Sequence, residues 1–262
     1  AGFLAGFAFG LKMTASLFIG ATGLTLLVMT PQPLEKLKAG SIYTFGVVSG
    51  SIVTGGWWFF KMWQGFGNPF FPWLNNIFRS PEIANIAISD KRYLPDSFWD
   101  GLLYPFYFMY NSAYTFSLGS FRDIRIGILY ILVIYLIFLL LKKKVLPSTT
   151  GRIMPKAAAF VTIYLASGYT LWLIQFSIYR YLFIVESLAF LGIAIILFYL
   201  FPNPRRATMI FIPVMIFTLV YGKYPRQDRL SWMPHQFMAR IPSVDHLDSS
   251  IVILGGNRPS SF

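Results

Sequence analysis

The sequence predicts an all-α polytopic membrane protein with about six transmembrane helices, interfacial helices in one outer loop and a short α/β-like outer tail. Three observations predict it. First, 56% of the 262 residues are hydrophobic and only 12% are charged, with a mean hydropathy of +0.59, whereas soluble domains carry about 25% charge. Second, apolar runs approaching or reaching the roughly 17–25 residues that cross a hydrocarbon core of about 30 Å recur along the chain. Third, the basic residues collect between those runs. The formal charge of +12 therefore reads as membrane topology and contact with anionic lipid, with no nucleic-acid partner. The absence of cysteine excludes disulfides and thiolate metal sites.

The chain opens on "AGFLAGFAFG" without a methionine and closes on "GGNRPSSF", so it reads as a piece of a longer protein. Gly2, Gly6 and Gly10 form a GxxxGxxxG ladder, and small residues four apart let another helix approach closely. Spans follow at about 13–30, 40–60, 124–141, 157–176, 182–201 and 207–221, the last carrying Pro213. Six crossings leave both ends of the chain on one side. The connections 31–39, 142–156 and 202–206 hold nine basic residues against one acid, Glu35, and such loops resist translocation. They are expected on the cytoplasmic side, which puts 61–123, 177–181 and the tail 222–262 outside. The stretch 101–118 is long enough to cross, but its tyrosines, Asn111 and Pro105 suit an interfacial element. In the tail, "SIVILGG" reads as a buried strand. The domains are thus a helical membrane domain, 1–221, and a truncated outer soluble tail, 222–262.

Chemistry is sought among polar groups at the outer boundary. Lys12 stands between two apolar runs; two readings fit it, a lysine snorkelling from a helix end and an intramembrane functional charge. Trp57 to Trp63 form an aromatic belt, followed by Gln64, Gly67, Asn68, Pro69 and Pro72, which break a regular helix and leave backbone groups needing partners. This stretch reads either as a rigid turn or as a loop lining a cavity for an amphiphile, with Gln64 and Asn68 as contacts. Asp90, Lys91 and Arg92 could orient a phosphate or sugar hydroxyl, or form a solvated ion-pair cluster of little energetic weight. Arg180 lies between Tyr179 and Tyr181, and Glu186 sits six residues further into an apolar run. A carboxylate at that depth needs neutralising or pairing, with Arg180 or Lys12 as the candidate partner. His235 and His246 lack a third ligand, so no metal site and no cofactor is indicated.

Taken together, "AGFLAGFAFGLKMT", "WQGFGNPFFPWLNNIFRSPE" with "DKRY", and "SIYRYLFIVE" resemble the later transmembrane part of bacterial GT-C type glycosyltransferases, the superfamily that uses polyprenyl-phosphate sugars. The resemblance implies an inner-membrane, multi-pass enzyme whose outer loop and tail face the periplasm or exterior. It would transfer a sugar from the lipid-phosphate donor to a glycan, lipid or protein acceptor. In that family the catalytic carboxylate sits in the first outer loop, which this chain lacks. Its catalytic residue is therefore unassigned, with Asp90 the exposed candidate, and Lys12, Arg180, Lys91 and Arg92 are the cations available to a donor phosphate. A transporter or flippase of an amphiphile, and a non-catalytic membrane scaffold, are the competing readings.

Overall fold

The computed structural model describes residues 1–86, 90–110, 121–142 and 154–223. The tail run expected as a strand, Asn111 and most of the basic connection after residue 142 lie outside the described residues. Of what is described, 76% is helical and no strand is present. Helix α1 (Gly2–Leu11) leads through a single 3-10 turn, Met13–Ala15, into α2 (Ser16–Met29) and then α3 (Pro33–Phe66). The outer loop carries α4 (Asn75–Phe78) and α5 (Phe98–Tyr107). Then follow α6 (Arg125–Leu141), α7 (Lys156–Gln175), α8 (Phe183–Leu200) and α9 (Pro204–Tyr221). Three of these, α7, α8 and α9, are long and apolar enough to cross a membrane, which points to a membrane protein; α1, α2 and α6 are shorter apolar helices.

The first glycine ladder packs against a second. Each glycine of α1 faces the backbone of α3: Gly2 meets Tyr43, Gly6 meets Val47 and Gly10 meets Ser51 and Gly55. In return Gly46 and Gly50 of α3 face Gly2, Phe3 and Phe7. A Cβ at Gly6 or Gly50 would sit inside the opposing carbonyl oxygen, so the close approach requires glycine on both helices. Ser51 Oγ and Thr54 Oγ1 cross the seam to the Gly6 and Phe7 carbonyls at 3.1 and 2.9 Å. The pairing order makes α1 and α3 parallel. Helix α2 returns alongside, its Ile19 carbonyl accepting the Tyr43 hydroxyl at 3.0 Å. Lys12 therefore marks the tip of an α1–α2 hairpin, with extended backbone at φ −153°, ψ 109°.

Helix α3 runs longer at both ends than the 40–60 the sequence suggests, some 51 Å at 1.5 Å per residue, because Pro33 starts it inside the expected connection 31–39 and Lys61 to Phe66 continue it past the aromatic belt. It stops at Gly67, whose φ of +63° and N–H to the Trp63 carbonyl (2.8 Å) make a left-handed C-cap. Pro213 lies inside α9 without ending it. Helix α5 covers ten residues, about 15 Å and too short to cross; it docks through Tyr104 and the following Phe108, which meet the buried Trp172 ring edge-on at 5.9 and 5.8 Å.

Candidate functional site

Two chain segments bring cations to one ring. The turn that carries Arg180 is held by α7: Trp172 Nε1 donates to the Ile178 carbonyl (2.8 Å), and the buried Ser177 takes a positive φ of 49° while its N–H returns to the Trp172 carbonyl (3.0 Å). This orients the single turn Tyr179–Tyr181 so that Tyr179 points inward and Arg180 outward. Arg180 lies over the Tyr181 ring at 5.0 Å, and its Nη2 donates to the Tyr181 hydroxyl at 3.1 Å. From the tip of the α1–α2 hairpin, Lys12 Nζ approaches the same ring at 5.5 Å. Each contact is a cation–π interaction, worth about 0.5–1 kcal/mol at an exposed site. Both cations are exposed and neither is joined to a carboxylate by an ion pair among the described residues. The tyrosine thus gathers two positive charges without neutralising them, an arrangement that accepts an anion such as phosphate.

Asp90 is occupied. Arg92 grips it in a fork, Nε to Oδ1 at 2.9 Å and Nη2 to Oδ2 at 2.6 Å. That hydrogen bond, more than the neighbouring charges of Arg92 and Arg180, holds the Asp90 carboxyl below its ordinary value. The Arg180 contribution brings the 90–92 segment into the electrostatic neighbourhood of the two-cation site. Lys91 and Gln64 are exposed, Gln64 on the last turn of α3.

Asn68 is fully buried and serves the turn itself: its Nδ2 donates to the Trp73 carbonyl (2.8 Å) and its Oδ1 accepts the Phe70 N–H (2.9 Å). Asn75, also fully buried, donates to the carbonyls of Ser80, Ile83 and Ala84 and accepts the Ser80 N–H. The aromatic, proline-rich stretch is therefore a self-satisfied turn, in which side-chain amides replace the backbone partners that Pro and Gly remove.

Glu186 is paired, but with neither Arg180 nor Lys12. Its Oε1 accepts from Arg125 Nη2 at 2.6 Å. Arg125 is itself held by Asp123, Nε to Oδ1 at 3.0 Å and Nη2 to Oδ2 at 2.8 Å, and Asp123 takes a further bond from the Tyr179 hydroxyl at 2.6 Å. Asp123 is 1% exposed. This network ties the start of α6 to the start of α8. The sequence carried a signal for it, since Arg125 opens an apolar run and an arginine there demands a partner; the choice among three cations needed the packing of α6 on α8. Among the described residues no group of metal-binding side chains is present.

No family model, curated protein or solved structure matches the chain.

Proposed function

We propose that the chain is the later membrane part of a GT-C type glycosyltransferase that transfers a sugar from a polyprenyl-phosphate donor to a cell-envelope glycan, lipid or protein. The observation that carries this reading is the meeting of Lys12 and Arg180 on Tyr181, which supplies two unneutralised cations for a lipid-linked phosphate beside apolar helices. Under this reading α2, α3, α6, α7, α8 and α9 are the six crossings, in a bacterial inner membrane. The two-cation site and the outer loop face the periplasm or exterior. Asp90, gripped by Arg92, is a poor base for the acceptor hydroxyl; catalysis then falls to a carboxylate in another segment of the enzyme.

The test is sugar transfer from a radiolabelled polyprenyl-phosphate donor by the full-length protein in nanodiscs. Lys12→Ala and Arg180→Ala are each expected to lower donor affinity by roughly ten- to a hundredfold, the scale of a hydrogen bond to a charged group. Full activity in both variants removes the assigned site. The α1–α2 hairpin, broken at a charged residue, also favours a second reading, a transporter or flippase of an amphiphilic anion. Movement of the lipid across liposomes with no covalent product would establish that reading instead.

A further inference from the structure

We propose that the C-terminal end of α9 holds an anionic phospholipid, its phosphate between Arg122 and Lys223 and one acyl chain along the exposed α9 row Tyr221, Phe217, Pro213 and Met209. A backbone device gathers the charge. Arg122, just before α6, and Lys223, just after α9, exchange both N–H···O bonds, at 2.8 and 3.0 Å, in an isolated antiparallel bridge. Residues paired in this way have Cα atoms about 5.5 Å apart and side chains on the same face, so two cations stand side by side. Both are exposed, and neither is ion-paired to a carboxylate among the described residues. Like charges directly opposite destabilise such a pair. A phosphate between them removes that cost and takes charge-assisted hydrogen bonds from each.

Two ring contacts join these cations to an apolar surface. The Arg122 guanidinium lies 5.7 Å from the centre of the Tyr221 ring, whose hydroxyl is fixed to the Met109 carbonyl at 3.2 Å. A guanidinium stacked on a ring keeps its N–H edge for a phosphate. The Tyr221 ring in turn lies 5.6 Å from that of Phe217, which is 56% exposed. Pro213 and Met209, also exposed, continue the row at four-residue spacing on the same helix face. From Tyr221 to Met209 is roughly 18 Å of helix, close to the roughly 15 Å of one leaflet's hydrocarbon. Helix α9 is also the least covered of the three membrane-length helices, 11% buried against 28% in α7 and 33% in α8. A purely apolar partner helix on this row would leave the two cations uncompensated at its edge, whereas an anionic head with a hydrocarbon tail complements both parts. The site is separate from Lys12 and Arg180 and does not depend on sugar transfer.

The test places a photoreactive benzoylphenylalanine at Phe217 of the full-length protein, in nanodiscs of equimolar phosphatidylglycerol and phosphatidylcholine, and identifies the cross-linked species by mass spectrometry. The same group at Ile52, which is 61% exposed and lies on α3 between Lys38 and Lys61, reports the preference of ordinary lipid-facing surface. Phosphatidylglycerol is expected to exceed phosphatidylcholine at Phe217 by roughly tenfold or more relative to Ile52, since each cation near the surface contributes roughly fivefold. Arg122→Gln and Lys223→Gln should each lower that excess by roughly three- to fivefold, and the double variant should bring it to the Ile52 ratio. Because both residues are exposed, the double variant is expected to keep the fold, which an unchanged cross-link yield at Ile52 checks. A ratio at Phe217 no greater than at Ile52, an excess that survives in the double variant, or a cross-link from Phe217 chiefly to protein instead of lipid overturns the proposal.

Discussion

Replacing Arg125 with methionine withdraws the guanidinium from between Asp123 and Glu186. Three charge-assisted bonds disappear, two to Asp123 and one to Glu186. Asp123, at 1% exposure, keeps the Tyr179 hydroxyl and the backbone N–H of residue 125 among the described residues. Removing one partner of a buried ion pair typically costs about 3–5 kcal/mol, because an uncompensated charge is left behind. The two bonds that remain on Asp123 and the partial exposure of Glu186, 26%, place the expectation near the lower end, about 3 kcal/mol. Substituting the network together, as Asp123→Asn/Arg125→Met/Glu186→Gln, removes every charge and should recover most of that loss. Reversible unfolding in mixed micelles, followed by circular dichroism, reads both numbers. An Arg125→Met variant within about 0.5 kcal/mol of the parent, or a triple variant less stable than the single one, refutes the view that Arg125 acts by compensating the two carboxylates.

The glycine seam makes a paired prediction. Gly6→Ala should destabilise by about 1–3 kcal/mol through overpacking against the Val47 carbonyl, whereas Gly40→Ala, with no atom within 4 Å of the added Cβ, should stabilise α3 by about 0.5–1 kcal/mol; the same unfolding assay separates them. The Asp90–Arg92 fork sets a pH dependence. Because the Asp90 carboxyl is lowered in the folded state from an unperturbed 3.8, its contribution is intact above that value and fades as pH falls through the lowered one. A carbon-13 titration of labelled aspartate should show Asp90 titrating below 3.8 and moving up in Arg92→Ala.

The sequence by itself determined that this is a helical chain rich in membrane-length apolar runs. Hydrophobicity summed over a run is a local property, and so is the periodicity of Gly2, Gly6 and Gly10, which announced a helix-packing face. It also marked Lys12 as a charge that apolar surroundings make costly, and Glu186 as a carboxylate that needs a partner. What the sequence could not decide was which groups meet. The extension of α3 through Lys61 to Phe66 went unread, because residues at an aromatic belt look alike in a helix and in a loop until Gly67 supplies the cap. Asn68 fitted both a rigid turn and a ligand contact, and only the path of residues 70 to 73 shows its amide spent on backbone. Arg125 rather than Arg180 reaches Glu186 because α6 packs on α8, while the Trp172-anchored turn points Arg180 away toward Tyr181 and Lys12. Partner choice among like charges depends on distances of a few Å set by packing between segments remote in sequence, and Coulomb and hydrogen-bond energies fall off on that same scale.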